Sequence, residues 1–272
     1  MDRSPLIEPA ELAKRLGEPG LRIVDTRAAI SEPGEGHRRY LEAHIPGAVF
    51  ADLDLDLSGE SGPGRHPLPT PEQFASTLGR LGIGPETLVV AYDDSGGSIA
   101  SRLWWMLESI GHAEVAVLHG GWQAWQEASH PTSGDVVSVE PVSYPTPARF
   151  NGVVEMDELV SGRVTLVDAR ERERYRGDVE HLDPRPGHIP GAINVPYTES
   201  IKPDMRLLNP PQLVERFDDL PDDVVLSCGS GVTSCHVALA MRVAGRPMPR
   251  LYIGSYSEWS RTDNPVVSGD EP

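Results

Sequence analysis

Two cysteines, Cys228 and Cys235, stand seven residues apart in DDVVLSCGSGVTSCHVALAMRVAG, and the first is placed to act as a nucleophile. The run VVLS before it has the short, β-branched character of a buried strand, and an amphipathic stretch starts at about Thr233. Cys228 therefore falls at the carboxyl end of a strand, ahead of a helix. In open α/β sheets that edge is where ligands bind. Loop N–H groups and the helix N-terminus create positive potential there, which favours thiolate over thiol. Gly229 and Gly231 allow the loop to curl round a sulfur with several N–H groups aimed inward, as a cradle for S⁻ or a persulfide requires. Cys235 falls one or two turns into the helix, where core packing accounts for it.

The elements that must hold this loop occur twice. LRIVDTR at Leu21 to Arg27 returns as VTLVDAR at Val164 to Arg170, and AHIPGAV at Ala43 to Val49 returns as GHIPGAI at Gly187 to Ile193. LVVAYDDSGGS matches VVLSCGSGVTS with Asp93 in the place of Cys228, and LHGGWQAW matches YIGSYSEW. One unit is thus duplicated, and a duplication shows the architecture before any single motif is trusted. Within each copy, short runs such as IVD, TLVV, VAVL, TLVD, VVLS and RLYI read as buried strands. PEQFASTLGRLG, ASRLWWMLESIG and TSCHVALAMRVAG read as amphipathic helices that close at glycine. The alternation predicts α/β architecture, two tandem domains each with a central parallel sheet covered by helices on both faces. The expected limits are 1–134 for the first domain, 135–150 for a proline-rich connector and 151–272 for the second.

Composition narrows the partners. With 24 basic against 41 acidic residues the net charge is −17, which repels nucleic acid and anionic lipid surfaces. No segment approaches the roughly 20 apolar residues of a membrane span, and MDRSPLIEPAELAKRLGEPG lacks the apolar run of a signal peptide, so the expected location is cytoplasmic. Two cysteines in 272 residues build no disulfide framework. The acidic run Asp52, Asp54, Asp56 is not a calcium loop, since Leu57 replaces the required glycine and Pro63 stands where the bidentate glutamate belongs. The histidines show no zinc-site spacing, so no metal is expected. Asp25 and Asp168, with Arg27 and Arg170, recur in both copies and are expected to hold the strand-end turns.

The loop Cys228-Gly229-Ser230-Gly231-Val232-Thr233, the paired HIPGA turns, Trp104-Trp105-Met106, and the GGW and GSY-x-EW segments resemble the tandem-domain rhodanese family, most narrowly its mercaptopyruvate sulfurtransferases. The resemblance spans nearly the whole chain. It implies that only the second domain is catalytic, since an aspartate at 93 carries no sulfane sulfur. It further implies that Arg174 and Arg185 bind the substrate carboxylate, while Gly229, Gly231, Val232 and Thr233 of the loop complete the substrate site. Ser230 resembles the serine that helps activate the cysteine, and Asp54 and His66 match residues reaching toward it. Thiosulfate-preferring relatives place basic side chains directly after the cysteine. Neutral Gly229 and Ser230 favour instead a donor whose charge is held at a distance, such as 3-mercaptopyruvate.

The implied chemistry is two-step covalent catalysis without a cofactor: Cys228 takes sulfur from a small anionic donor as a persulfide and passes it to a thiol, thioredoxin or cyanide. Thiosulfate is the alternative donor. A cysteine phosphatase would need an arginine six residues after the cysteine, and position 234 is serine. A non-catalytic sulfur-binding or regulatory module is the remaining alternative, and an intact cysteine loop speaks against it.

Overall fold

The computed structural model describes residues 4–29, 32–62 and 64–272. Pro63 and the first three residues of the N-terminal segment considered above lie outside the described residues. The chain divides into two compact units that are not contiguous in sequence. One comprises Met1–Gly59, Pro69–Asn151 and Lys202–Leu207, the other Glu60–Leu68, Gly152–Ile201 and Leu208–Pro272. No helix among the described residues is long and apolar enough to cross a membrane.

The first unit runs β1 (Leu6–Ile7), α1 (Pro9–Arg15), β2 (Leu21–Asp25), α2 (Glu35–Glu42), β3 (Val49–Phe50), α3 (Pro71–Arg80), β4 (Leu88–Tyr92), α4 (Ala100–Ser109), β5 (Val115–Leu118) and α5 (Gly121–Glu127). Its strands pair in parallel in the order β1-β5-β4-β2-β3. Every residue of β4 is buried, and successive side chains point to opposite faces, so both faces of the sheet are covered. Helix α3 starts where the sequence signals it. Thr70 and Gln73 form a reciprocal capping box, and Pro71 occupies the first turn, where its missing N–H costs nothing. The connector 135–150 has no regular element and packs on α3, where the Val142 N–H donates to the Gly79 carbonyl at 3.0 Å. A side-chain carbon at Gly79 would collide with the Val142 carbonyl.

The second unit runs α6 (Met156–Val160), β6 (Thr165–Asp168), α7 (Arg172–Arg176), β7 (Ile193–Asn194), a 3₁₀ turn at Tyr197–Ser200, α8 (Pro210–Phe217), β8 (Val224–Ser227), α9 (Thr233–Val243), β9 (Arg250–Leu251) and α10 (Ser255–Trp259). The order is β7-β6-β8-β9, again all parallel. Strand β9 is shorter than RLYI suggests, because the chain leaves the sheet after Tyr252, whose N–H still donates to the Leu226 carbonyl at 2.9 Å.

The duplication extends to single hydrogen bonds. Arg27 grips Asp25 and the Ala43 carbonyl as Arg170 grips Asp168 and the Gly187 carbonyl, and all four side chains are buried. Each guanidinium also lies over a ring, Arg27 at 4.6 Å from Trp122 and Arg170 at 3.9 Å from Tyr256. These pairs tie the strand end to the HIPGA turn, the structural role expected of them. Register fixes the correspondence of the loops: Asp25 pairs with Tyr92 and Asp168 with Ser227, so the next residues, Asp93 and Cys228, hold equivalent places.

Candidate active site

Cys228 follows directly on β8 and is buried, and α9 begins five residues later, at Thr233. Between them the loop turns back on the sulfur. Gly231, at φ 75°, donates its N–H to Sγ at 3.1 Å, a conformation that a side chain would strain. Burial pushes the Cys228 thiol up. The Thr233 and Ser234 hydroxyls and the Ser230 and Ser234 amides outweigh it and hold the group below an ordinary cysteine. The arrangement therefore stabilises a sulfur anion at the start of an eleven-residue helix.

The first copy shows what the same loop does without sulfur. The Asp93 carboxylate accepts N–H bonds from Ser95 and Gly97 at 2.8 Å, Ile99 at 2.7 Å and Ala100 at 2.8 Å. Burial pushes this carboxyl up, against the four amides that hold its charged form. Both cradles turn N–H groups toward an acceptor, a carboxylate in one and a sulfur in the other.

Several expected residues converge on the second loop. His66 Nδ1 lies 2.7 Å from Ser230 Oγ, and both side chains are buried. Arg174 projects from α7, held by Glu180 at 2.9 Å and Asp183 at 3.2 Å, and reaches Gly229: a side-chain carbon there would stand 3.3 Å from Arg174 Nη1. Val232 leads into α9 and Thr233 opens it. Arg185 does not turn to the loop. Its guanidinium donates to the carbonyls of Trp259, Ser260 and Asn264 at 2.9 to 3.1 Å, which ties down the chain after α10. Asp54 lies in the first unit, where its N–H donates to Asp52 Oδ1 at 2.8 Å. Cys235 is fully buried in α9, with its thiol donating to the Gly231 carbonyl at 3.3 Å.

Two residues at the loop escape a reading of the sequence. Ser255 accepts the Cys228 N–H at 3.1 Å, donates to the Tyr252 carbonyl at 2.9 Å, and has a φ of 52°. That conformation is rare for a residue with a side chain. The matching residue of the first copy, Gly121 at φ 55°, carries none, and the alignment of LHGGWQAW with YIGSYSEW held the signal. The other is Arg65, on the segment Glu60–Leu68 that packs with the second unit. Gly64, at φ 78°, lets this segment lie against Gly254 and Ser257, and the Arg65 N–H donates to Ser257 Oγ at 3.0 Å.

A duplicated parallel α/β unit, with a cradled cysteine at one strand end and a carboxylate at its counterpart, is the architecture of a rhodanese-type protein. The family description Rhodanese-like domain matches residues 8–128 and 154–262. The chain is 41% identical to a probable 3-mercaptopyruvate sulfurtransferase of Pseudomonas aeruginosa, over 99% of this chain and 100% of that protein. It is 40% identical to a putative thiosulfate sulfurtransferase of Mycobacterium tuberculosis, over 94% of this chain and 93% of the other. The solved 3-mercaptopyruvate sulfurtransferase from Leishmania major superposes with a TM-score of 0.84 at 34% identity, covering 94% of this chain and 74% of that one. The chain belongs to the rhodanese family.

Proposed function

We propose that the protein is a sulfurtransferase that moves sulfane sulfur from 3-mercaptopyruvate, through a persulfide on Cys228, to a thiol, thioredoxin or cyanide. The observation that carries this reading is the cradle itself: Gly231 N–H on Sγ at 3.1 Å, uncharged Gly229 and Ser230, and the Arg174 guanidinium held beside Gly229. In the first step the Cys228 thiolate attacks the donor sulfur, a new S–S bond forms, and the S–C bond breaks with its electron pair going to carbon. The resulting pyruvate enolate takes the proton of the transferred SH group, leaving pyruvate and Cys228–S–S⁻. The loop amides hold that charge as they hold the thiolate. In the second step the acceptor binds the outer sulfur while the S–S bond returns its pair to Cys228, so cyanide leaves as thiocyanate and a thiol as a persulfide.

In this reading Arg174 binds the donor carboxylate, and the loop at Gly229, Gly231, Val232 and Thr233 receives the donor sulfur. Ser230, His66 and Asp54 are assigned to activating Cys228. The 2.7 Å contact of Ser230 with His66 supports the first two, and Asp54 rests on resemblance alone. We assign Arg185 to structure, on its three carbonyl bonds. The domains are proposed as 1–134 and 151–272 with the connector at 135–150, and the protein as a cytoplasmic one that binds neither membrane nor nucleic acid.

Steady-state transfer from 3-mercaptopyruvate and from thiosulfate to cyanide tests the reading, with Cys228→Ser and Arg174→Ala alongside. The expected result is a higher kcat/KM for mercaptopyruvate, abolished in Cys228→Ser and weakened in Arg174→Ala. A preference for thiosulfate would overturn the donor and keep the mechanism. No transfer from either would leave a binding module.

A further inference from the structure

We propose that Ser257 is a positioning residue for Cys228: its hydroxyl docks the segment Glu60–Leu68 on the cysteine loop, so that His66 reaches Ser230. The inference rests on the sulfur-transfer reading above and adds to it a residue of α10 that acts through others. Ser257 is fully buried, and its N–H and its hydroxyl are both committed. The N–H donates to the Gly229 carbonyl at 2.9 Å, as the Tyr256 N–H does to the Cys228 carbonyl at 3.0 Å, so α10 starts on the two residues at the head of the loop. A hydroxyl has one hydrogen to give, and Ser257 gives it to the Gly254 carbonyl at 3.0 Å. The oxygen is thereby turned to the Arg65 N–H, which it accepts at 3.0 Å. Gly64, at φ 78°, makes the approach possible, since a side-chain carbon there would stand 2.7 Å from Ser257 Oγ. The residue after Arg65 is His66, whose Nδ1 lies 2.7 Å from Ser230 Oγ. Ser230 in turn supplies one of the amides that hold the Cys228 thiolate. One serine therefore fixes both sides of the His66–Ser230 contact, the loop through its N–H and the segment through its hydroxyl.

The first copy lacks this joint. Gln123 holds the place of Ser257 and turns its side chain to its own loop, donating an Nε2 hydrogen to the Asp94 carbonyl at 2.7 Å. Its Oε1 is buried and accepts no bond among the described residues. Asp94 is the counterpart of Gly229, so the same loop carbonyl is satisfied in both copies, by a side chain in one and by a backbone N–H in the other. Only in the copy with the cysteine does the side chain take up an N–H from a distant part of the chain.

The experiment measures the pH inflection of Cys228 alkylation by iodoacetamide, together with kcat for sulfur transfer from 3-mercaptopyruvate to cyanide. The variants are Ser257→Ala and Gly64→Ala, each alone and combined with His66→Ala, and His66→Ala itself. Iodoacetamide is neutral, so its reaction does not report how a donor carboxylate is held. Ser257→Ala keeps the backbone N–H on Gly229 and loses only the hydroxyl. It is expected to raise the inflection and to lower kcat about fivefold, the effect of one neutral hydrogen bond. Gly64→Ala presses on the same joint from the other side and should do the same, so the test stands even where Ser257→Ala does not fold. In the His66→Ala background either change should lower kcat by less than about twofold and leave the inflection in place. A full loss in both backgrounds would make Ser257 merely structural and overturn the proposal. So would an inflection that Ser257→Ala and Gly64→Ala leave unmoved, or one that His66→Ala leaves unmoved. If the wild-type protein transfers no sulfur, the sulfur-transfer reading fails, and the alkylation inflections still decide whether Ser257 acts on Cys228 through His66.

Discussion

Replacing Ser255 by alanine and by glycine separates the two things this serine does. Both changes remove the hydroxyl that accepts the Cys228 N–H at 3.1 Å, and a buried amide left without a partner costs about 1–3 kcal/mol. They differ in the backbone. Alanine keeps the strain of φ 52°, about 1–2 kcal/mol, which glycine relieves. Glycine returns about 0.5–1 kcal/mol of that through the freer unfolded chain. The balance puts Ser255→Gly above Ser255→Ala by about 0.5–1 kcal/mol, opposite to the usual order at the start of a helix, where alanine is the more stable. Cys228 and Cys235 are the only thiols and both belong to the second unit, so labelling of buried Cys235 by a thiol reagent across a urea series reads the unfolding of that unit alone. Sulfur transfer should fall alike in the two variants, because the hydroxyl is lost in both. An alanine variant as stable as the glycine variant, or more so, would refute the argument that Ser255 is held under strain to serve Cys228.

Thr233→Val should move the inflection of Cys228 alkylation by iodoacetamide to higher pH, since that hydroxyl helps hold the thiolate; an inflection that stays or moves down sinks this account. The folded group titrates below an ordinary thiol. Its contribution to stability is therefore complete above the unfolded-state value and is lost as pH falls through the folded one. Gly231→Ala should lower the stability of the second unit by about 1–2 kcal/mol, read by urea midpoint, and slow transfer further by displacing the N–H on Sγ. Asp93→Asn should destabilise the first unit by about 2–4 kcal/mol, because an amide nitrogen meets N–H groups that the second carboxylate oxygen had satisfied. A thermal transition unmoved by Asp93→Asn would contradict the reading of that loop as an anion cradle.

The framework was legible in the sequence because it is local. VVLS ends at Ser227 and the helix opens at Thr233, as β-branching and amphipathic spacing indicate, and the repeat brings Asp93 to the place of Cys228. The acids Asp52 and Asp56 have local partners: Asp52 accepts the N–H groups of Asp54 and Leu55 within its own turn, and Asp56 pairs with Arg80. What the sequence hid depends on long-range closure. Arg65 meets an aspartate 118 residues away, and Arg185 satisfies carbonyls more than 70 residues further on, so its neighbours in the chain hold no clue to its use. Ser255 was hidden for another reason, since its unusual φ is imposed by the sharp exit from β9 and serine has no turn preference strong enough to announce it.

Asp93 also bears on what a cysteine in the first copy would meet. Its carboxylate accepts hydrogen bonds from four backbone N–H groups, so the cradle there is filled by the chain itself. Asp93→Cys would strip those hydrogen bonds away, at a position where Ile99 stands in place of the helping hydroxyl of Ser234 and any side chain at Gly121 would collide with the residue 93 carbonyl. Each of these changes is expected to lower the stability of the first unit. The first copy's cradle is thus fitted to a carboxylate, and a thiol placed there would lack the hydroxyl that Ser234 gives Cys228.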